Sequence, residues 1–237
     1  MFNRASLFRM GGLLAAILSL GVATAQAGTI TFAPTPTLMG ANDTVNWAQL
    51  GADATVLGST FTATSTHGVG VSGSFANGPG SVISVVCPAS PCSWAPAAPG
   101  FNPGDSLIWA SDFGNAGNGP LTLSLNQSVL GIGLYLQPDA PGPYTARADY
   151  YNGATLLFQV TAIGFTDPFF FGVKDTDAEL NRVVFTVLSC GFGCDVRDFA
   201  VNTLYLAEPT AAVPEPCTMV LLGTGLIGAG VRRYRRR

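Results

Sequence analysis

The chain has 237 residues, 48% of them hydrophobic and 11% charged, enough for one medium domain plus processing segments and too apolar for a disordered polymer. Seven of the eleven basic residues sit at the two ends, so the stretch from Gly28 to Pro216 sets four basic side chains (Arg147, Lys174, Arg182, Arg197) against all fourteen acidic ones, a net charge of −10. A surface that neutralises phosphates needs clustered lysine and arginine, which excludes nucleic acid as a partner of the body.

At the N-terminus, Arg4 and Arg9 precede an apolar run from Met10 to Val22, and Ala25-Gln26-Ala27 supplies small residues at the spacing signal peptidase reads. The run is short for a hydrocarbon core of ~30 Å. Residues 1–27 are therefore expected to form a signal helix that passes the Sec translocon and is cut after Ala27, leaving Gly28 first.

Residues 28–210 are expected to form a secreted β-sandwich. The segment is rich in Gly, Thr, Ser, Val and Asn, and no stretch of ten or more residues shows a glycine-free apolar stripe at helical spacing. Period-two alternation predicts strands instead, over 55–64, 69–75, 81–86 and 129–136. Leu121, Leu123 and Leu125 point one way while Thr122, Ser124 and Asn126 point the other. Tyr144, Ala146, Ala148 and Tyr150 alternate likewise, Asn152-Gly153 offers two positive-φ residues for a type I′ turn, and 154–161 returns as the second arm of a hairpin. Val183, Phe185 and Val187 repeat the pattern, and 201–206 closes it. Nine or so short strands without helical crossovers point to an all-β, antiparallel sandwich of the jelly-roll or immunoglobulin-like kind. Glycines inside strands, such as Gly70, Gly131 and Gly133, predict bulges or close sheet contacts.

Candidate chemistry is sparse. His67 is the sole histidine, and with no G-x-S-x-G elbow in the chain it reads as a loop residue rather than a catalytic base. Four cysteines fall into two close pairs, Cys87 with Cys92 and Cys190 with Cys194. Export favours disulfides over zinc, whose usual C-x-x-C knuckles are missing. Three connectivities are open, and the turn formers Pro88, Pro91, Gly191 and Gly193 favour the local pairs. Tyr151, beside the hairpin tip, is the candidate ring for stacking on a sugar, whereas alternation sends Phe169 and Phe171 to one side and Phe170 to the other, as in packing. Asp175, Asp177 and Glu179 alternate, so an extended backbone would place three hard oxygen ligands on one face for a structural calcium; the competing reading is a solvated turn. No other cofactor is expected. Fourteen acids offer many carboxylate pairs for glycoside hydrolysis, and the sequence marks none out.

At the C-terminus, residues 211–237 carry Val213-Pro214-Glu215-Pro216, an apolar stretch from Cys217 to Val231, and then Arg232, Arg233, Arg235, Arg236 and Arg237 around Tyr234. The two prolines keep the motif extended, and the arginines hold that end in the cytoplasm. Gly223 to Gly228 matches G-x-G-x-x-G, but only nine residues follow, too few for the second strand a dinucleotide fold requires. These three parts in order resemble the PEP-CTERM sorting signal of Gram-negative bacteria. The resemblance implies recognition by exosortase, a membrane-embedded transpeptidase that removes the transmembrane helix after a transient stay in the inner membrane. It further implies delivery to the cell surface or extracellular matrix among exopolysaccharide. A second resemblance covers Phe171-Gly172-Val173, the alternating 180–188 and Phe199 to Leu206, which look like the closing strands of sandwich domains found before such signals; Asn202-Thr203-Leu204 stands where that pattern reads Asp-Asn-Leu. The expectation is a non-enzymatic protein that binds or scaffolds polysaccharide in biofilm or envelope, with a surface glycan hydrolase or a ligand-free coat protein as alternatives.

Overall fold

Alternation in this chain becomes strand wherever one face can be buried, and the computed structural model describes that result for residues 28–85, 100–114, 116–140, 142–191 and 193–209. Among these residues the strands are β1 (Thr31–Phe32), β2 (Asp43–Val45), β3 (Thr55–Val56), β4 (Thr60–Thr64), β5 (Gly70–Phe75), β6 (Ser81–Ser84), β7 (Ser106–Trp109) and β8 (Leu121–Val129). They continue with β9 (Gly131–Pro138), β10 (Tyr144–Asn152), β11 (Thr155–Gly164), β12 (Phe169–Lys174), β13 (Leu180–Cys190), β14 (Phe199–Val201) and β15 (Leu204–Ala207). An α-helical turn, α1 (Pro36–Met39), starts where the Thr35 hydroxyl accepts from the Leu38 N–H and ends at Gly40 with φ 78°, and a 3-10 turn follows at Trp47–Leu50. The expected signal helix, the expected C-terminal helix, Cys87 and Cys92 lie outside the described residues; within them, no helix is long and apolar enough to cross a membrane.

Two antiparallel sheets form a sandwich. One has nine strands along the path β1-β12-β9-β14-β7-β6-β3, with β15 also on β9 and β2 on β15; the other has six in the order β11-β10-β13-β8-β5-β4. Their inner faces meet in one apolar core that includes Leu121, Leu123, Tyr150, Phe171, Val183 and Phe185. A second cluster, with Met39, Phe101, Leu107, Tyr135 and Phe170, covers the opposite face of the nine-stranded sheet. The Phe triplet divides between them as alternation requires, Phe171 into the first and Phe170 into the second. Doubly covered β9 is buried at every position, and its glycines make room: a Cβ on Gly131 would stand 2.7 Å from Met39 Cγ, and one on Gly133 2.6 Å from Phe170 Cζ.

Several expectations need correction. The fifteen strands exceed the nine or so expected because 55–64 breaks into β3 and β4, 201–206 falls in β14 and β15, and two- to six-residue strands such as β1, β2 and β12 are too short to show a period. In the hairpin, Asn152 closes β10 opposite Thr155, so the turn is Gly153-Ala154, and only Gly153 has positive φ, at 55°. A bulge after Tyr150 shifts the register, and the Asn152 Oδ1 accepts from Asn181 Nδ2 while the Gly153 N–H donates to Asn181 Oδ1 at 2.7 Å. Another concerns Asp175 to Glu179, treated with the site.

The closing strand breaks at Asn202. Its N–H donates to the Tyr135 carbonyl (3.1 Å), its Oδ1 accepts from the Tyr135 N–H (3.0 Å), its Nδ2 donates to the Gly100 carbonyl (2.5 Å), and its carbonyl accepts from Trp47 Nε1 (2.6 Å). A fully buried side chain here replaces ladder bonds that β14 and β15 leave open as they part to pair with β7 and β2.

Candidate functional site

The break at Asn202 aims β15 at one end of the sandwich. Leu204 and Leu206 face the core, and by the same alternation Glu208 follows on that side, just beyond the last buried pair. Register sets Leu206 opposite Asp43, and the Glu208 backbone is held on both sides, its N–H donating to Asn42 Oδ1 (2.8 Å) and its carbonyl accepting from Asn42 Nδ2 (3.2 Å). The turn joining β4 and β5 arrives from the other sheet, tied to β2 by the Thr66 N–H donating to the Thr44 carbonyl at 2.9 Å. His67 sits at its tip.

Asp43, His67 and Glu208 thereby meet with their ligating atoms within 4.8 Å of one another. His67 Nδ1 stands 4.0 Å from Asp43 Oδ1 and 3.9 Å from Glu208 Oε2. The Asp43 side chain is fully buried; its Oδ1 accepts from the N–H groups of Thr44 (2.8 Å) and His67 (3.0 Å), while its Oδ2 has no hydrogen-bond partner. Burial pushes the Asp43 carboxyl up, but the Ser65 hydroxyl, the Glu208 carboxyl and the two N–H groups pull it below its ordinary value. Burial and the adjoining Asp43 raise Glu208 against a smaller opposite pull from His67. Two carboxyls thus share one buried corner, one favouring its charge and the other its proton. Sequence reasoning marked His67 as a loop residue, which it is, and passed over Asp43 and Glu208. Each was nonetheless visible as an acid standing in the core-facing phase of an apolar alternation, Asp43 with Val45 and Glu208 with Leu204 and Leu206.

A second acidic group surrounds Trp109, whose Nε1 donates to Asp198 Oδ1. Burial first, then the charges of Asp139 and Asp195, raise the Asp198 carboxyl to about 6 despite that bond. Asp195 moves the other way: burial is outweighed by the N–H groups of Arg197 and Gly117 and by the Arg197 guanidinium, at 3.3 Å.

Between the sheet edges β11 and β1–β12 runs a groove of about 390 Å³ lined by Phe32, Phe158, Gln159, Thr161, Ile163 and Phe169. Phe32, 41% exposed, stacks on Phe169 with ring centroids 6.1 Å apart and planes 10° from parallel. Tyr151, the ring singled out from the sequence, is half-buried and its face is covered by the Arg182 guanidinium at 4.1 Å, because alternation on adjacent β13 puts Arg182 directly opposite it. It is no open platform.

Asp175, Asp177 and Glu179 do not converge. Ala178 takes φ 53°, so the backbone turns instead of extending, and the buried Asp175 carboxylate accepts from the N–H groups of Asp177 (3.2 Å) and Glu179 (2.9 Å). Asp177 and Glu179 point to solvent. Gly28 lies against this turn, where a Cβ would come within 2.6 Å of Asp175 Oδ1. Cys190 and Cys194 are joined, Cα to Cα 5.8 Å, closing a loop of two glycines and Phe192.

Residues 212–237 match the family model of the PEP-CTERM protein-sorting motif. That stretch is a PEP-CTERM sorting signal. The motif makes exosortase its processing partner and implies export, with a membrane-anchored C-terminal signal until cleavage. Val213, Pro214, Glu215, Pro216 and the five arginines all fall within the matched stretch and outside the described residues, as do Ala25 and Ala27 at the other end. Mass spectrometry of the protein recovered from its host is expected to find the Arg237 terminus removed; a chain still ending at Arg237 would mark a plain membrane anchor. Among solved structures the chain is similar to the C-terminal CBM6 of LamC, a marine laminarinase from Zobellia galactanivorans, at 10% identity over 70% of this chain and 100% of that one. The TM-score is 0.24, too low to bear on fold or ligand. No curated protein matches the chain.

Proposed function

We propose that the exported domain holds polysaccharide at the cell surface or in the extracellular matrix without altering it chemically. The observation that carries this reading is the groove between β11 and β1–β12, where the stacked Phe32 and Phe169 present apolar rings beside Gln159 and Thr161. Flat rings bury the apolar faces of sugar rings while neighbouring amides and hydroxyls take their OH groups, a division of labour that suits a polymer lying along a sheet edge. The net charge of −9 over residues 28–210, four basic against thirteen acidic side chains, favours a neutral or cation-bridged glycan over a polyanion.

Co-sedimentation with the host's own exopolysaccharide tests it. Folded protein is expected in the pellet, heat-unfolded protein in the supernatant, and Phe32→Ala is expected to weaken binding by about fivefold, the worth of one exposed ring. Equal recovery of folded and unfolded protein would remove the binding claim. The hydrolase reading has one observation in its favour, the oppositely shifted Asp198 and Asp195 beside Trp109, which is how an acid and a base are set apart at one pH. Release of reducing sugar that disappears in Asp198→Asn would promote that reading over pure binding.

A further inference from the structure

The corner where β2, β15 and the β4–β5 turn meet has the composition of a metal site and an unmet electrostatic demand. Asp43 Oδ2 and Glu208 Oε1 are both buried without hydrogen-bond partners, and the Asp43 side chain is wholly out of solvent. Ionised carboxylate oxygens only accept, so two that face one another need either a shared proton or a cation between them. Backbone bonds anchor Asp43 through its Oδ1 and hold the Glu208 main chain, so that the two carboxylates and His67 Nδ1, with ligating atoms within 4.8 Å of one another, face a common point.

We propose that these three side chains bind one divalent transition cation, of which zinc is the probe, independently of the polysaccharide reading. The donor set decides the class. An imidazole nitrogen disfavours calcium and magnesium, which take all-oxygen shells, while one nitrogen with two carboxylate oxygens suits zinc and its neighbours. Two carboxylates and a neutral imidazole balance the charge of the ion. In a tetrahedral site with metal–ligand bonds of about 2.0 Å, ligand atoms stand about 3.3 Å apart. The His67 contacts of 3.9 and 4.0 Å exceed this by little, and His67, with 51% of its side chain exposed at a turn tip, is the member free to move inward. Three protein ligands leave a fourth position on the exposed side for water. The role follows from placement: Asp43 and Glu208 belong to the nine-stranded sheet and His67 to a turn of the six-stranded one. The ion would therefore staple the two sheets four residues before the sorting motif begins at 212.

The full chain, purified in detergent and stripped with EDTA, is titrated with zinc and followed by calorimetry and thermal melting. One zinc per chain is expected, with Tm raised by about 5 °C at a hundredfold excess over Kd. His67→Ala removes a half-exposed ring without a hydrogen bond of its own, so its metal-free Tm is expected to match the parent while the zinc shift is lost. Cobalt in place of zinc is expected to give the visible absorption of a tetrahedral site with a nitrogen ligand in the parent and not in His67→Ala. Cysteines elsewhere in the chain can also take zinc, so the difference between parent and variant is the reading. Should His67→Ala melt early without metal, Glu208→Gln, which keeps the shape and removes the charge, replaces it. Equal stoichiometry and equal Tm shift in parent and variant, or no shift in the parent, overturns the proposal and leaves a shared proton as what holds the two carboxyls together.

Discussion

Replacing Asn202 with alanine is expected to lower the stability of the exported domain by about 3 to 4 kcal/mol, read as a lower urea midpoint at unchanged slope. The truncation leaves the Tyr135 N–H without its acceptor and the Gly100 carbonyl without its donor, both in a buried setting that water cannot reach. Each such orphan costs about 1 to 3 kcal/mol, more than a hydrogen bond contributes when both partners are present. The main-chain bonds of Asn202 to Tyr135 and Trp47 survive, which keeps the loss short of unfolding. Asn202→Asp separates the two side-chain roles. Its carboxylate still accepts from Tyr135 but turns a second acceptor toward the Gly100 carbonyl, so at pH 7 it is expected to be no better than alanine. As pH falls below about 5 a protonated carboxyl can donate to Gly100, and part of the stability is expected to return, opposite to the usual acid response of a native-state aspartate. A flat pH response would mean that Gly100 is not the partner that matters.

That residue also shows where the sequence was legible and where it was not. The alternating runs 121–125, 144–150 and 183–187 stood out because each has one face in the core and the other toward solvent, which is what a period of two records. β9 did not alternate cleanly, since both of its faces are covered and every position is buried. Asn202-Thr203-Leu204 read as a variant of a strand ending, and only the sheet explains it: β14 and β15 each hold a different neighbour, and the amide fills the gap where they part. The His67 corner was illegible for a related reason. Asp43, His67 and Glu208 are separated by 24 and 141 positions, and it is the pairing of β15 with β2 and the docking of the β4–β5 turn that bring them together. Local pattern misled in the opposite direction at Asp175, Asp177 and Glu179. Their spacing suits a strand, but the Asp175 carboxylate prefers the nearby N–H groups and bends the chain. Tyr151 failed on its neighbours, since sequence position at a hairpin tip says nothing of an arginine one strand away.

The pH dependence of stability should be dominated locally by Asp198, whose carboxyl is raised in the fold to about 6 from 3.8. The sign follows from proton counting. Below about pH 4 folded and unfolded chains both hold the proton and the residue has no effect. Between about pH 4 and 6 the unfolded chain has released its proton while the folded one keeps it, so stability falls as pH rises, and above about 6 the loss is complete and constant. For this half-buried group, discounted for solvent screening, it amounts to about 2 kcal/mol. Asp198→Asn keeps an Oδ1 to accept from Trp109 Nε1 and removes the charge that burial, Asp139 and Asp195 oppose. The variant is expected to exceed the parent by about 2 kcal/mol at pH 7.5 and to equal it at pH 4, by urea unfolding at both values. Because Asp195 is shifted downward, its own loss on acidification affects parent and variant alike and cancels in the difference. A gain of the same size at both pH values would place the effect in packing around Trp109 and not in the carboxyl's charge.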